Sequence, residues 1–164
     1  MSAATAELLA VIPDNVPEEL KARRQWVVWR LEERNGDLTK VPYSPRGGEA
    51  KSNDLMTWGT FEDAYQAYGS GRYSGIGFVF CSGDPYAGVD LDGCVGPETG
   101  EVEPWATEIV AELGSYTEIS PSGTGVHIIA RGRLPEGRRR KGRVEMYDQG
   151  RFFTVTGQVL GDAR

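Results

Sequence analysis

Gly88-Val-Asp-Leu-Asp-Gly93 is the stretch of sequence on which the fold prediction rests. Its pattern indicates a strand that ends at a glycine turn, with alternate side chains on opposite faces, so Asp90 and Asp92 share one face. About 7 Å apart at an effective dielectric of about 20, two carboxylates repel by roughly 2 kcal/mol. A divalent cation reverses this sign, because Mg²⁺ binds carboxylate oxygens at about 2 Å. The pair is therefore a candidate metal site.

The sequence on both sides of this stretch carries strand and helix signals in turn. An aromatic and β-branched run, the dipeptide Asn35-Gly36 and a second run predict a hairpin. Hydrophobic spacing and capping residues predict helices over 17–23, 60–68 and 103–113, and strands over 25–31, 38–43, 75–80, 87–92, 116–120, 125–130, 143–147 and 152–156. Strands outnumber helices, and hairpins mix with helical crossovers. The prediction is an α+β (mixed α/β) fold, a two-layer mixed sheet with flanking helices.

Length and composition limit the class of protein. The chain has 164 residues, which suits one domain with a real core, and we expect an N-terminal arm over 1–16 and a single domain over 17–164. The net charge is −6, and no apolar run approaches the roughly 18 residues of a membrane span, so we expect neither disorder nor a membrane partner. Two cysteines are too few for a disulfide framework, and a cytoplasmic setting is the simplest.

Positive charge is concentrated in one segment, despite the acidic average. Its basic residues are Arg131, Arg133, Arg138, Arg139, Arg140, Lys141 and Arg143. Such a segment can neutralise the phosphates of a nucleic acid. The alternative interpretation is a solvated hairpin tip.

A serine- and glycine-rich turn, Ser120-Pro-Ser-Gly-Thr-Gly-Val-His127, leads into a predicted strand. Glycines let the backbone approach a phosphate, while hydroxyl and main-chain N–H groups donate to it. His127, the one histidine of the chain, points to the same face as Gly125. The alternative is a purely structural histidine. The candidate phosphate-binding residues of this turn are Ser120, Ser122, Gly123, Gly125 and His127.

A third polar segment is Val144-Glu-Met-Tyr-Asp148, which precedes Arg151-Phe-Phe-Thr-Val-Thr-Gly157. Glu145 alternates with apolar Val144 and Met146, so its carboxylate lies on the side of the strand away from the core. It is then free to complete a metal site with the aspartate pair. An ordinary solvent-facing glutamate is the alternative.

These three segments, in this order and spacing, resemble the motifs of the archaeo-eukaryotic primase superfamily, specifically the primase–polymerase domains of phages, plasmids and mobile elements. The resemblance rests on 88–92, 120–127 and 144–157, with Lys40-Val-Pro-Tyr43 and Thr57-Trp58 upstream, and extends from about residue 17 to 161. It implies that 17–164 is a primase–polymerase catalytic domain. The implied activity is template-directed nucleotidyl transfer in DNA replication, as a DNA primase and DNA polymerase.

The resemblance also implies a two-metal mechanism. Asp90, Asp92 and Glu145 would hold Mg²⁺ or Mn²⁺, with Asp148 competing for the third position because many family members carry aspartate as the last ligand. His127 and the glycine turn would bind the phosphates of the incoming nucleotide. The further contacts that the resemblance implies are those of Lys40 and Arg151 with phosphate, and those of Tyr43 and Tyr147 with sugar or base.

The implied partners are a DNA template and primer, a nucleoside triphosphate, and a helicase domain or subunit. Domains of this family are usually followed by a helical segment and a helicase, and the sequence after Gly157 contains neither. The sequence leaves two interpretations open: the chain is a catalytic fragment, or it is a free-standing short form. If a template-recognition segment is lost, we expect primer extension to survive and priming to fail.

Two other classes of function are open. A non-catalytic module that binds nucleotides or single strands would use the basic segment but would give the acids no role. A haloacid-dehalogenase-like phosphatase would use Asp90 as nucleophile and Asp92 as acid/base. That family's first motif opens its domain and needs a late acidic pair, and neither condition fits this sequence.

Overall fold

The computed structural model describes residues 7–160, which form three α-helices and nine strands in two antiparallel sheets. The α+β class is confirmed. The helices are α1 (Glu18–Lys21), α2 (Phe61–Gly69) and α3 (Pro104–Leu113). The strands are β1 (Trp26–Arg34), β2 (Asp37–Tyr43), β3 (Gly75–Phe80), β4 (Tyr86–Leu91), β5 (Tyr116–Ile119), β6 (Val126–Arg131), β7 (Arg140–Lys141), β8 (Val144–Tyr147) and β9 (Arg151–Val155).

The first sheet has four strands in the order β2-β1-β3-β9. Its β1–β2 hairpin is the predicted one: Asn35 and Gly36 have φ angles of 53° and 85°, the positive values that a tight two-residue turn requires. The ladder continues up to the turn, where Arg34 pairs with Asp37. Strand β1 is therefore longer than predicted, since its exposed charged end is held by pairing rather than by burial.

The second sheet has five strands in the order β5-β6-β4-β8-β7. Strand β4, which carries the aspartate motif, lies in the middle and pairs with β6 on one side and β8 on the other. The three motifs picked out from the sequence therefore meet on neighbouring strands. The two-residue strand β7 was not predicted, because Arg140-Lys141 has no apolar alternation to mark it.

The two sheets pack face to face through aromatic and aliphatic side chains, including Phe78, Phe80 and Phe153 of the first sheet and Ile129 of the second. Gly88 in β4 is required at this contact. A Cβ atom at Gly88 would lie 2.5 Å from Cε2 of Phe153 and 2.7 Å from Cζ of Phe80, well inside van der Waals contact. The Phe153 ring can therefore lie next to β4, beside the strand residues that form the site.

Helix α3 covers the other face of the five-stranded sheet. It ends at Gly114, whose φ of 52° is the left-handed cap conformation, as the predicted end at residue 113 requires. The buried residues beneath it come from alternate positions of β4 and β6: Val89, Leu91, Val126 and Ile128. This face is apolar, which leaves the polar positions of the same strands for the opposite face.

The described part of the N-terminal segment packs on the body of the fold. Val11 and Val16 are buried in the core, and the Ile12 N–H donates to the Thr156 carbonyl at 2.8 Å. Gly157 lies so close to Ile12 that a Cβ atom there would overlap the Ile12 backbone. The domain boundary at residue 17 stays a prediction, and residues 1–6 and 161–164 lie outside the described range. Within residues 7–160, no helix has the length and apolar character needed to cross a membrane.

Candidate metal and nucleotide site

Each strand of the five-stranded sheet contributes one charged or ionisable residue to a single row. Cross-strand pairing places Glu118 opposite His127, His127 opposite Asp90, Asp90 opposite Glu145, and Glu145 opposite Arg140. Directly opposite residues point to the same face with Cβ atoms about 5 Å apart. Exposure changes along the row, from 0% for Glu118 to 63% for the Arg140 side chain. The row therefore begins in the core and ends in solvent.

Three carboxylates converge at the middle of this row. Asp90, Asp92 and Glu145 each offer one oxygen, and these oxygens lie within 4.8 Å of one another. Burial raises the pKa of Asp92, and the neighbouring charges of Asp90 and Glu145 raise it further. Three hard oxygen donors that repel one another suit a Mg²⁺ or Mn²⁺ ion. The residues present therefore fit the predicted metal, which would relieve their repulsion.

Arg140 supplies the positive charge next to this cluster. Its guanidinium nitrogens lie 3.1 Å from Oε1 of Glu145 and 3.9 Å from Oδ2 of Asp92. Both contacts reach carboxylates of the candidate metal cluster. Arg140 therefore balances part of the negative charge of the cluster.

Asp148, the alternative third ligand, lies elsewhere. It is buried, accepts the Leu134 N–H at 3.0 Å, and approaches Arg133 at 3.9 Å. Its carboxylate supports the chain after β6 and is not a member of the acidic cluster. The geometry favours Glu145 as the third acid.

His127 is fixed from two sides. Its Nδ1 lies 3.0 Å from the Thr154 carbonyl, which can only accept, so Nδ1 carries a proton. Its Nε2 lies 3.4 Å from Oδ1 of Asp90, and its ring packs against Phe153 with centroids 4.8 Å apart. The ring is buried and Nε2 is the nitrogen turned towards the acids.

A cavity of about 240 Å³ opens at this point. It brings together acids, His127 and three further residues that the sequence predicted as nucleotide contacts, Lys40, Tyr147 and Arg151. The Tyr147 hydroxyl donates to Glu145, and the Arg151 guanidinium lies 4.6 Å from the Tyr147 ring centre. The cavity therefore combines a negative floor with positive side chains at its wall, which suits a metal-bound polyphosphate.

Comparison with known proteins gives one informative match. No family model matches the chain. A curated relative, the DNA primase-polymerase of Nitratiruptor phage NrS-1, is 37% identical over 143 residues, which cover 83% of this chain. The chain is a domain of the phage primase–polymerase type. The family resemblance predicted from the motifs is confirmed, while the chain spans only 19% of the length of that relative.

Other predicted contacts of this primase–polymerase-type domain are not in the cavity. Tyr43 donates its hydroxyl proton to Glu32, and its ring packs under the Arg30 guanidinium at 4.8 Å and beside Tyr73 at 5.8 Å. These neighbours account for its position on β2 without a nucleotide. Its stacking role stays a prediction that the geometry does not favour.

The serine- and glycine-rich turn lies at the same end of the sheet as Asp92, because Leu91 pairs with Val126. Its hydroxyls contact one another: Ser122 Oγ lies 3.3 Å from Ser120 Oγ and 2.9 Å from Thr124 Oγ1, and Ser120 Oγ accepts the Gly125 N–H at 3.0 Å. The phosphate role of Ser120, Ser122, Gly123 and Gly125 stays a prediction, since the structure shows the turn beside the cavity and not in its wall.

The basic segment does not form one continuous patch. Besides Arg140, three of its arginines have acidic partners within residues 7–160: Arg131 with Glu19, Arg133 with Asp148, and Arg143 with Glu103. Across the same described range, Arg138, Arg139 and Lys141 form no ion pair. These three residues stay candidate DNA contacts. The alternative interpretation, a solvated hairpin tip, is still open for them.

Two residues near the site were not predicted from the sequence. Glu118 lies on β5 next to His127. Strand alternation puts it on the same side as Tyr116, but only the pairing of β5 with β6 places that side beside the site. Thr154 also lines the cavity, and its hydroxyl oxygen is buried without a hydrogen-bond partner among the described residues. No sequence pattern marks Thr154, because its position depends on how β9 pairs with β3.

Proposed function

We propose that this domain catalyses template-directed nucleotidyl transfer in DNA replication, as a DNA primase and polymerase that uses two metal ions. The observation that carries the proposal is the convergence of the Asp90, Asp92 and Glu145 carboxylates at a cavity that Asp90, Glu145 and His127 line. The name of the phage relative supports a primase–polymerase activity in general terms. The proposed setting is the cytoplasm.

The acidic cluster is the proposed metal centre. Asp90, Asp92 and Glu145 would hold Mg²⁺ or Mn²⁺, which when bound activates a 3′-hydroxyl group and neutralises charge on the triphosphate. Tyr147 orients the Glu145 carboxylate through the hydroxyl that it donates. The Arg140 guanidinium balances the acids before the ions enter.

The positive wall of the cavity is the proposed triphosphate site. Lys40, Arg151 and His127 line this cavity together with Asp90 and Glu145. Lys40 and Arg151 would donate to phosphate oxygens as pyrophosphate leaves, and His127 would donate from Nε2 when that nitrogen is also protonated. A second cavity of about 640 Å³ shares Arg151 and Phe152 with the first and is also lined by Lys51, Ser52 and Asn53. It offers room beside the site for the rest of the nucleotide or for a DNA strand. The proposed partners are thus a DNA template and primer, a ribo- or deoxynucleoside triphosphate, and a helicase domain or subunit.

The direct test is primer extension by the purified chain with labelled primer–template, deoxynucleoside triphosphates and Mn²⁺ or Mg²⁺. Extension by the wild type and its loss in Asp90→Asn and Asp92→Asn would support the proposal. Asp37→Asn is the matched control, since Asp37 is an exposed carboxylate at the β1–β2 turn. Phosphate release without extension would indicate a phosphatase, and metal-independent binding alone would indicate a non-catalytic module.

A further inference from the structure

Glu118 is the one acid of the charged row that the proposed mechanism does not use. It is 0% exposed and is among the largest fully buried side chains of the protein. Burial raises the pKa of its carboxyl group, against the opposing effect of nearby His127 and of hydrogen bonds from Thr156 and Tyr116. A carboxyl group is costly to bury, so a position of this kind calls for a specific role.

The Glu118 carboxyl group connects two parts of the chain. Its Oε1 accepts the Tyr116 hydroxyl at 3.0 Å on its own strand. Its Oε2 contacts both the backbone N–H and the hydroxyl of Thr156, the latter at 2.6 Å. Thr156 comes directly after β9, so the carboxyl group ties the end of β9 to β5.

The Thr156 hydroxyl lies between two acceptors. Its hydroxyl oxygen lies 2.7 Å from the Ile119 carbonyl, which can only accept, and 2.6 Å from Glu118. A hydroxyl has one proton to give. That proton can go to either acceptor, and the same Glu118 oxygen also accepts the Thr156 backbone N–H, so the carboxyl group holds Thr156 through two groups of one residue.

This connection leads to His127 by a short path. Thr154 lies two residues before Thr156, and its carbonyl is the acceptor that fixes Nδ1 of His127. The residue between them, Val155, is buried in the core, so the segment has little freedom to adjust. Displacement of Thr156 would therefore move the acceptor that orients the histidine ring.

We propose that Glu118 is a positioning residue, whose carboxyl group clamps Thr156 to β5 and so holds the Thr154 carbonyl where it orients His127 towards the cavity. The effect of Glu118 on the orientation of the His127 ring is inferred from the geometry alone. Its importance for nucleotide binding rests on the proposed function of the site. Glu118 itself touches neither nucleotide nor acids in this account.

The test uses the single histidine as a spectroscopic probe. Long-range ¹H–¹⁵N spectra of the full chain, recorded with the imidazole neutral, report which ring nitrogen holds the proton without any assignment problem. The variants are Glu118→Gln, Glu118→Leu and Thr156→Val, the last retained in case the leucine variant does not fold. Thr117→Val is the control, because Thr117 is equally buried on β5 but pairs with Ile128, on the α3 side of the sheet.

The wild type should show the Nδ1–H tautomer. Glu118→Leu and Thr156→Val should move the ring towards the Nδ1/Nε2 mixture of free histidine, while Glu118→Gln and Thr117→Val should leave it unchanged. In parallel, the dissociation constant for deoxyadenosine triphosphate with Mn²⁺ should rise about tenfold in Glu118→Leu, the loss expected from about one hydrogen bond. It should change by less than about twofold in Glu118→Gln, whose amide can take over the hydrogen bonds.

An unchanged tautomer in both Glu118→Leu and Thr156→Val would overturn the proposal. An equal change of tautomer in Thr117→Val would also overturn it, because it would indicate general loosening of β5. An equal loss of nucleotide affinity in Glu118→Gln would overturn it as well, because it would indicate that the charge of the carboxylate is needed. If the wild type neither binds the nucleotide nor extends primers, the proposed function fails, and the tautomer experiment still decides the role of Glu118.

Discussion

The two faces of the five-stranded sheet are built from alternate residues of the same strands, but they carry different kinds of side chain. On the face beneath α3, Val89 and Leu91 pack with Val126 and Ile128 in an apolar cluster. On the other face, Asp90 lies between His127 and Glu145. Along β4 and β6 the face beneath α3 is wholly apolar, while the opposite face combines core residues such as Ile129 with charges at a fixed spacing. Substitutions on the two faces should therefore have separable effects.

The largest expected effect is on the apolar face. Leu91 is fully buried between the two aspartates in sequence, and Leu91→Ala should lower the free energy of unfolding by about 2–5 kcal/mol, because it removes buried methyl groups and leaves a cavity. Urea denaturation measures this change. Asp90→Asn, one residue away, should change the same free energy by less than about 1 kcal/mol. A stability loss in Asp90→Asn as large as that in Leu91→Ala would contradict the division between faces.

The next effect is on the charged face and concerns metal. Mn²⁺ at about 100 times its dissociation constant should raise the free energy of unfolding of the wild type by about 2.7 kcal/mol, since the ion binds only the folded acidic cluster. The rise should be lost in Asp90→Asn and kept in Asp37→Asn. Thermal denaturation with and without Mn²⁺ measures it. Equal Mn²⁺ stabilisation of all three proteins would place the ion elsewhere.

A smaller effect concerns pH and the buried end of the row. The pKa of Glu118 is raised in the folded protein, so above about pH 4.5 the native state holds a proton that the unfolded chain has lost. The contribution of this carboxyl group to the free energy of unfolding is therefore largest at lower pH. It decreases as the pH rises, by up to about 1.4 kcal/mol per pH unit. Glu118→Gln lacks this slope, because an amide does not titrate. Urea denaturation of both proteins from pH 4.5 upwards measures the difference, and parallel curves would contradict the raised pKa.

The smallest effect concerns the exposed end of the row. Arg140→Gln should increase Mn²⁺ affinity a few-fold at low salt, because it removes a positive charge that pairs with Glu145, and exposed ion pairs of this kind contribute up to about 1 kcal/mol. Isothermal titration calorimetry measures the affinity. Lys141→Gln is the control, as the adjacent basic residue that forms no ion pair within the described chain. An equal gain in both variants would show a general charge effect rather than a contact with the cluster.

Local features of the fold could be predicted from the sequence. The Asn35-Gly36 hairpin, helix α3 with its end at residue 113, and the strand alternation around Asp90 all depend on residues close together in the chain. The shared face of Asp90 and Asp92 follows from the same alternation. Such features need only backbone preferences and periodicity.

The row across the sheet could not be predicted in the same way. Which residue lies opposite Asp90 depends on strand register, which is set by packing between segments far apart in sequence. Glu118 and Arg140 therefore went unrecognised as neighbours of the site, although each has an ordinary place in its own segment. Tyr43 is the converse case: its motif predicts a nucleotide contact, while in the structure its hydroxyl donates to Glu32, so that contact stays a prediction.

The most direct test of the metal centre is diffraction at the manganese absorption edge from crystals of this chain grown with Mn²⁺ and a nucleoside triphosphate. We expect an anomalous peak bounded by the carboxylates of Asp90, Asp92 and Glu145, with Arg140 turned away from them. An anomalous peak at any other position, with Arg140 still paired to Glu145, would contradict it.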